Sequence, residues 1–371
     1  MASALRNPRD RVSRLRASLL TAGTLLLAAC DTVGYYSQAI SGQLHLLAQR
    51  RDIPGLLAEA GTPPALRQQL QQVQALREFA DSELHLPVGR QFSSYVDVQA
   101  PYIVWNVFAA AEFSLEPLTW CFPVAGCVAY RGYFSEAAAR KFAAELQAQG
   151  HDVHVGGVTA YSTLGWFADP VLNTVLGREP WQLASLIFHE LAHQVVYIPG
   201  DTTFNESFAT SVEQAGLQRW LRQTQGENAA QAVLTRADTA QQRREQFVAL
   251  VQAAVADLRM LYSGNQTTSN QTVGKEQAHT LRAAKQARLD QLRTQYQQLK
   301  QQWNGDGSYD AWFAQDINNA MLLTVATYNA QVPAFRRLLQ DCADALPCFY
   351  EKARQLARLD TAARQAALAL P

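Results

Sequence analysis

The chain has 371 residues, 48% of them apolar, which suffices to bury a sizeable core in one large or two smaller domains and is too apolar for a disordered chain. Lys and Arg number 32 and Asp and Glu number 32, so the formal charge is zero and no broad basic face is available for nucleic acid. DNA and RNA are therefore excluded from the expected partners.

The N-terminus breaks this balance: Arg6, Arg9, Arg11, Arg14 and Arg16 precede an apolar run from Ala17 to Ala29, interrupted only by Ser18, Thr21, Gly23 and Thr24. A basic region before a short apolar stretch predicts a secretory signal over residues 1–29, too short to span as a conventional transmembrane helix. Its end, Leu27-Ala28-Ala29-Cys30, resembles the bacterial lipobox, which implies lipidation of Cys30 and a chain tied to a membrane by acyl groups, facing the periplasm. An ordinary signal peptide cut at a nearby small residue is the alternative. Asp31 resembles the inner-membrane retention signal of such lipoproteins. Removing residues 1–29 takes away five Arg and one Asp and leaves 27 basic and 31 acidic residues, so attachment would rest on lipid and not on charge.

Residues 30–90 read as a helical segment: 34–51 carry spaced apolar positions, and Pro63-Pro64 opens a stretch running to about Leu84. Residues 91–225 read as the core, where Tyr95 to Val98 and Tyr102 to Phe108 are aromatic and β-branched strands. Ser135 to Gln149 is a capped helix ended by Gly150, and Val153 to Val158 and Tyr161 to Phe167 follow as short strands. Residues 226–371 read as predominantly helical, with a long hairpin formed by Asn228 to Leu261 and Thr272 to Trp303 around a polar loop, then helices over Ile317 to Tyr328, Pro333 to Asp341 and from Leu346 onward. The hairpin fits a coiled-coil interaction arm and a surface-packed pair equally. Four cysteines beyond Cys30 fall as Cys121, Cys127 and Cys342, Cys348, each pair with five residues between; in an exported chain this predicts local disulfides, with pairing across the two sets left open, and argues against a four-cysteine zinc site.

In His189-Glu190-Leu191-Ala192-His193 two histidines four apart share one face of a helix and can reach one ion, predicted to be Zn2+. Glu190 lies about 100° around the helix, beside the metal position, where it can take a proton from metal-bound water. A catalytic zinc takes three protein ligands and keeps one position open. No further His follows at a usable spacing, because Val196 and Pro199 occupy those places. A helix returning past Pro199-Gly200 offers Glu206 as the third ligand, while Glu213, two turns further on the same face, is placed to hydrogen-bond a ligating His. Asp201, in the turn, is the weaker candidate, and Asn205 is placed in the supporting shell around the ligands.

The run from Phe188 to Gln194 followed by Phe204-Asn205-Glu206-Ser207-Phe208-Ala209 resembles the gluzincin peptidases, and more narrowly the bacterial putative-aminopeptidase family. Trp120 to Cys127, Tyr130 to Phe134 and Tyr161 to Phe167 extend the resemblance over essentially the whole mature chain. It implies an α+β zincin-like core with a small mixed sheet and an active-site helix pair, and zinc-dependent hydrolysis of peptides or proteins. The Gly-x-Met-Glu-Asn segment that holds the substrate amino terminus in gluzincin aminopeptidases is absent, which leaves Glu112 or Glu116 for that task. The family's oxyanion donor, a Tyr or His after the zinc helices, is matched to Tyr328, with His279 and Tyr133 as rivals. Tyr161 to Phe167 is the expected edge strand for the substrate. The competing reading is a lipid-anchored binding or quality-control factor of the envelope, with a slow or vestigial metal site.

Overall fold

The computed structural model describes residues 34–122, 126–160, 168–264, 274–325 and 331–369. The signal region with Cys30 and Asp31, the segment 161–167 and Tyr328 lie outside them. Contacts divide the chain into two compact units between Gln49 and Arg50. In the first, residues 34–48 form helix α1, which ends short of the predicted 51. All other elements belong to the second.

There, β1 (Arg51–Asp52) runs into α2 (Ile53–Ala58), whose first turn is closed by the Asp52 carboxylate accepting from the Gly55 N–H. Helix α3 (Pro64–Ser82) begins on a proline and buries Leu70, Val73, Leu76 and Phe79, one stripe of an amphipathic helix. Strand β2 (Ser94–Val96) then pairs antiparallel with β1.

An antiparallel sheet follows. Its central strand, β3 (Val104–Ala111), is built from β-branched and aromatic residues suited to a half-buried pleat. Strands β4 (Trp120–Phe122) and β5 (Gly126–Val128) form a separate hairpin, joined across by a disulfide between Cys121 and Cys127. Strand β6 (Arg131–Tyr133) lies on one side of β3, with Tyr133 opposite Trp105. Helix α4 (Glu136–Ala148), capped by Ser135, buries Ala139, Ala143 and Leu146, and the chain leaves it through Gly150 at φ +86°. Strand β7 (His151–Val158) completes the order β6–β3–β7, with Gly157 opposite Trp105.

Strand β8 (Val171–Leu172) returns to pair parallel with β2, and a single turn, α5 (Asn173–Leu176), leads on. Helix α6 (Pro180–Ala192) starts with Pro180 and a capping box between Glu179 and Gln182. It ends with His193 as its C-cap, still in right-handed helical conformation (φ −60°, ψ −18°). Helix α7 (Thr202–Gln225) is opened by the Asp201 carboxylate accepting from the Phe204 N–H. The two helices approach closely: a Cβ added at Gly216 of α7 would stand 2.8 Å from the Leu84 side chain and 3.0 Å from the Phe188 ring.

Helix α8 (Glu227–Gly264) and helix α9 (Lys275–Gln302) form the hairpin, followed by α10 (Asp310–Phe313) and α11 (Asn319–Leu323). The helix expected over 317–328 is shorter among the described residues, because Asn318 caps it and it closes at Thr324. Helices α12 (Val332–Gln340), α13 (Leu346–Ala357) and α14 (Thr361–Leu368) finish the chain, with Cys342 bonded to Cys348 between α12 and α13. Both disulfides are thus local. No helix among the described residues is long and apolar enough to cross a membrane.

Two hydrophobic cores result. The first joins α2, α3, α6, α7, the start of α8, and α12 to α14 around Phe188, Phe204, Phe208, Phe335 and Phe349, all fully buried. Each such ring stabilises by about 1.5–3 kcal/mol relative to exposure, so this core holds the α6–α7 pair rigidly. The second joins the later part of α8 to α9, α10 and α11. The hairpin is therefore a packed pair and not a free arm. A buried polar clamp ties it to the sheet: Lys285 Nζ reaches Asp152 at 2.5 Å and the Glu112 carbonyl at 2.9 Å. Asn319 Nδ2 adds bonds to the carbonyls of Ala111, Glu112 and Ser114.

Candidate active site

Helix α6 presents His189 and His193 one turn apart, with ring centroids 5.0 Å from each other. Its apolar residues Leu183, Ile187, Phe188 and Leu191 are buried in the first core, which fixes the direction in which the polar residues point. Helix α7 returns past Gly200 (φ +82°), and the return is locked by Asn205. The Asn205 side chain accepts from the Ile198 N–H and donates to the Ile198 carbonyl, both at 2.8 Å. Asn205 thus braces the turn between the two ligand-bearing helices.

That return brings Glu206 between the histidines. Its carboxylate oxygens lie 3.3 Å from His189 Nε2 and 3.7 Å from His193 Nε2, and the three ligand atoms lie within 4.8 Å of one another. Bonds of about 2.0–2.1 Å in a tetrahedron give ligand-to-ligand edges of about 3.4 Å, so the nitrogen, nitrogen, oxygen set fits a small divalent ion such as zinc. The separation of 3.7 Å is too long for a hydrogen bond yet suits two atoms sharing an ion. On the far side of His189, Nδ1 meets Glu213 at 3.1 Å. A carboxylate bound to the second ring nitrogen fixes the orientation and tautomer of a metal-ligating imidazole.

The electrostatics match this arrangement. Burial works against a charged His189, but the hydrogen bonds to Glu206 and Glu213, with the charges of Glu213 and Glu190, raise its pKa to about 10. His193 moves the other way, to about 4, through burial and the charge on His189, with Glu206 opposing. Burial alone would raise Glu206. The bond and charge of His189, together with the charges of His193 and Arg244, instead bring it below the ordinary carboxylate value.

Several residues singled out from sequence stand elsewhere. Asp201 is spent on the α7 cap and on Arg364, whose guanidinium lies 2.8 Å from it. The Glu112 carboxylate is bound by Arg282, and Glu116 is an exposed loop residue, so neither is shown in a substrate-binding position. Tyr133 is buried against Phe142 at 5.7 Å, and His279 is exposed on α9.

Two other side chains border the site. Tyr197 packs its ring edge-on to His193 at 6.3 Å. Tyr130, on the sheet side, packs against Phe108 with centroids 5.7 Å apart and the rings tilted by 49°. The rings keep 44% and 39% of their surface open, respectively. Even so, burial of the phenol ends and the charge of Glu206 raise the pKa of both, and Tyr197 adds to the effect on Tyr130. Both phenols therefore stand protonated at neutral pH. No helical spacing points to this group, because α6 ends at Ala192 and Tyr197 lies in the turn region beyond it.

The fold is mixed α+β, and the site is a His, His, Glu group able to hold a metal ion on a buried helix pair. The chain matches the family described as "Putative aminopeptidase" over residues 34–368 and belongs to that family. No curated protein and no solved structure matches it. Peptide-bond hydrolysis is the activity this membership points to.

Proposed function

We propose that the chain is a zinc-dependent peptidase with a zincin-like core, in which His189, His193 and Glu206 hold the ion and Glu190 is the general base. The observation that carries the reading is the carboxylate of Glu206 facing both histidines while Glu213 orients His189 from behind. Zinc, when bound, supplies Lewis acidity toward the scissile carbonyl and lowers the pKa of its water to about 7.

Glu190 extends from the same helix, rotated about 100° from His189, and takes the proton of the attacking water before passing it to the leaving amine. Glu213 keeps the His189 ring in place during the reaction. Tyr130 and Tyr197, held protonated, provide O–H donors at the rim of the site for the developing oxyanion. Tyr328, expected in that role from the resemblance, lies outside the described residues.

The lipid-anchored, periplasm-facing location belongs to the same proposal and rests on the Arg-rich start, the lipobox-like end at Cys30, Asp31, and cysteines spaced for local disulfides. Incorporation of labelled palmitate into wild type but not into Cys30→Ser tests it.

For the activity, purified protein is assayed against a peptide library beside Glu190→Gln. The variant is expected to keep its metal and to lose about 100- to 10,000-fold in kcat. Equal cleavage by the two proteins would refute the mechanism. Absence of cleavage by both would favour a binding factor.

A further inference from the structure

Helix α14 is eight residues long, too short to hold its shape alone, and it buries two side chains, Arg364 and Leu368. Leu368 joins the first core. Arg364 is only 4% exposed although it carries a charge, and taking a guanidinium out of water is unfavourable unless its partners are well placed. Its main partner lies in the turn between α6 and α7. Arg364 Nε donates to Asp201 Oδ2 at 2.9 Å, Nη2 stands 2.8 Å from the same oxygen, and Nη1 donates to the Leu359 carbonyl at 2.7 Å. The guanidinium also lies over the Phe204 ring, 5.7 Å from its centroid.

Asp201 passes this contact on to α7. Its other oxygen, Oδ1, accepts from the Phe204 N–H at 3.1 Å, and its carbonyl accepts from the Asn205 N–H at 3.1 Å. Asn205 immediately precedes Glu206. Phe204 is fully buried and packs edge-on to Phe335 at 5.1 Å. One guanidinium therefore holds the cap, the first turn and an anchoring ring of the helix that carries the third ligand. A metal site needs its ligands within about 0.5 Å of the working geometry, so slack in the first turn of α7 is felt at Glu206.

We propose that α14 is a positioning element of the metal centre, coupled to Glu206 through Arg364 and Asp201, so that docking of this last helix and binding of the ion strengthen each other. This rests on the reading of His189, His193 and Glu206 as metal ligands. An apolar residue at 364 would pack α14 against Phe204 without taking a charge out of water. What a buried arginine adds is direction, because its planar donors hold a carboxylate in one orientation. Such coupling is reciprocal: the factor by which the docked helix raises metal affinity is the factor by which the ion opposes local undocking of the helix.

The test compares wild type, Arg364→Lys and the double variant Asp201→Asn with Arg364→Met. Asn caps a helix as well as Asp does, so the double variant keeps an acceptor for the Phe204 N–H and leaves no stranded charge. Zinc affinity is measured by chelator competition, ligand geometry by the visible spectrum of the cobalt(II)-loaded protein, and local opening by amide hydrogen exchange with and without zinc. The double variant is expected to melt close to wild type, yet to bind zinc roughly fivefold or more weakly and to show an altered cobalt spectrum. Arg364→Lys, which keeps the charge without the planar fork, should fall between. In wild type, zinc should slow local exchange of the 361–368 amides by the factor that separates the two affinities.

That last measurement needs no variant: zinc that binds wild type and leaves local exchange of α14 unchanged would overturn the proposal. A double variant with wild-type affinity and cobalt spectrum would overturn it equally. If wild type binds no metal, the metal reading falls and the coupling is read in the metal-free protein. Faster exchange of the Phe204 and Asn205 amides in the double variant then upholds the link from α14 to α7, and equal exchange removes it.

Discussion

Glu213 offers a measure of how far the metal centre depends on a residue that would not touch the ion. Glu206 and Glu213 are seven residues apart on α7, about 10.5 Å along its axis. The His189 ring spans that interval, with Nε2 3.3 Å from Glu206 and Nδ1 3.1 Å from Glu213. Glu213→Ala removes the acceptor behind the ring, frees the imidazole to rotate, and lowers the basicity of Nε2. Loss of such a bond weakens metal affinity by roughly 10- to 100-fold, about 1.4–2.7 kcal/mol. Glu213→Gln keeps an amide oxygen that still accepts from Nδ1–H, so it should fall at the weaker end of that range. Glu206→Ala, which deletes a ligand, should cost more than either. Competition against a chromophoric chelator measures all three. If Glu213→Ala held zinc as tightly as wild type while Glu206→Ala did not, the orienting role would be refuted.

Asn205→Ala leaves the Ile198 N–H without its partner, while the Ile198 carbonyl keeps the Asp201 N–H, and a loss of about 1–3 kcal/mol is expected in urea unfolding, with a shift in metal affinity as the α6–α7 turn loosens. Lys285→Met takes the ammonium from the half-buried Asp152 carboxylate, which keeps the Asn319 N–H at 2.8 Å, and should destabilise by about 1–3 kcal/mol, whereas a change within about 0.5 kcal/mol would show that the clamp is not strong. Metal binding must displace the proton that His189 holds with a pKa of about 10. Apparent zinc affinity should therefore rise with pH, by about tenfold per unit for one proton released, and calorimetry in buffers of different ionisation enthalpy should detect that proton. The sign for folding is opposite: His189 is raised above its unfolded value of 6.5, so the stability this gives the metal-free protein is complete below that pH and is lost as pH rises through about 10. Metal-free protein that was more stable at pH 10 than at pH 6 would contradict it.

What the sequence determined by itself is mostly local. A step of four from His189 to His193, and of seven from Glu206 to Glu213, means shared helix faces because helical periodicity needs no knowledge of the rest of the chain. The same holds for the cap at Ser135, the helix start at Pro64, and the short cysteine intervals. Tertiary structure decided which groups meet across long separations. Glu112 looked free in sequence, but it sits where β3 reaches α9, and Arg282 takes its carboxylate. Tyr130, Tyr197 and Glu206 share no helical periodicity, and their electrostatic coupling arises only because one core fixes the α6–α7 pair and the turn between them. Packing of two apolar cores is a global condition on the chain, so the electrostatic surroundings of the site follow from it and not from any motif.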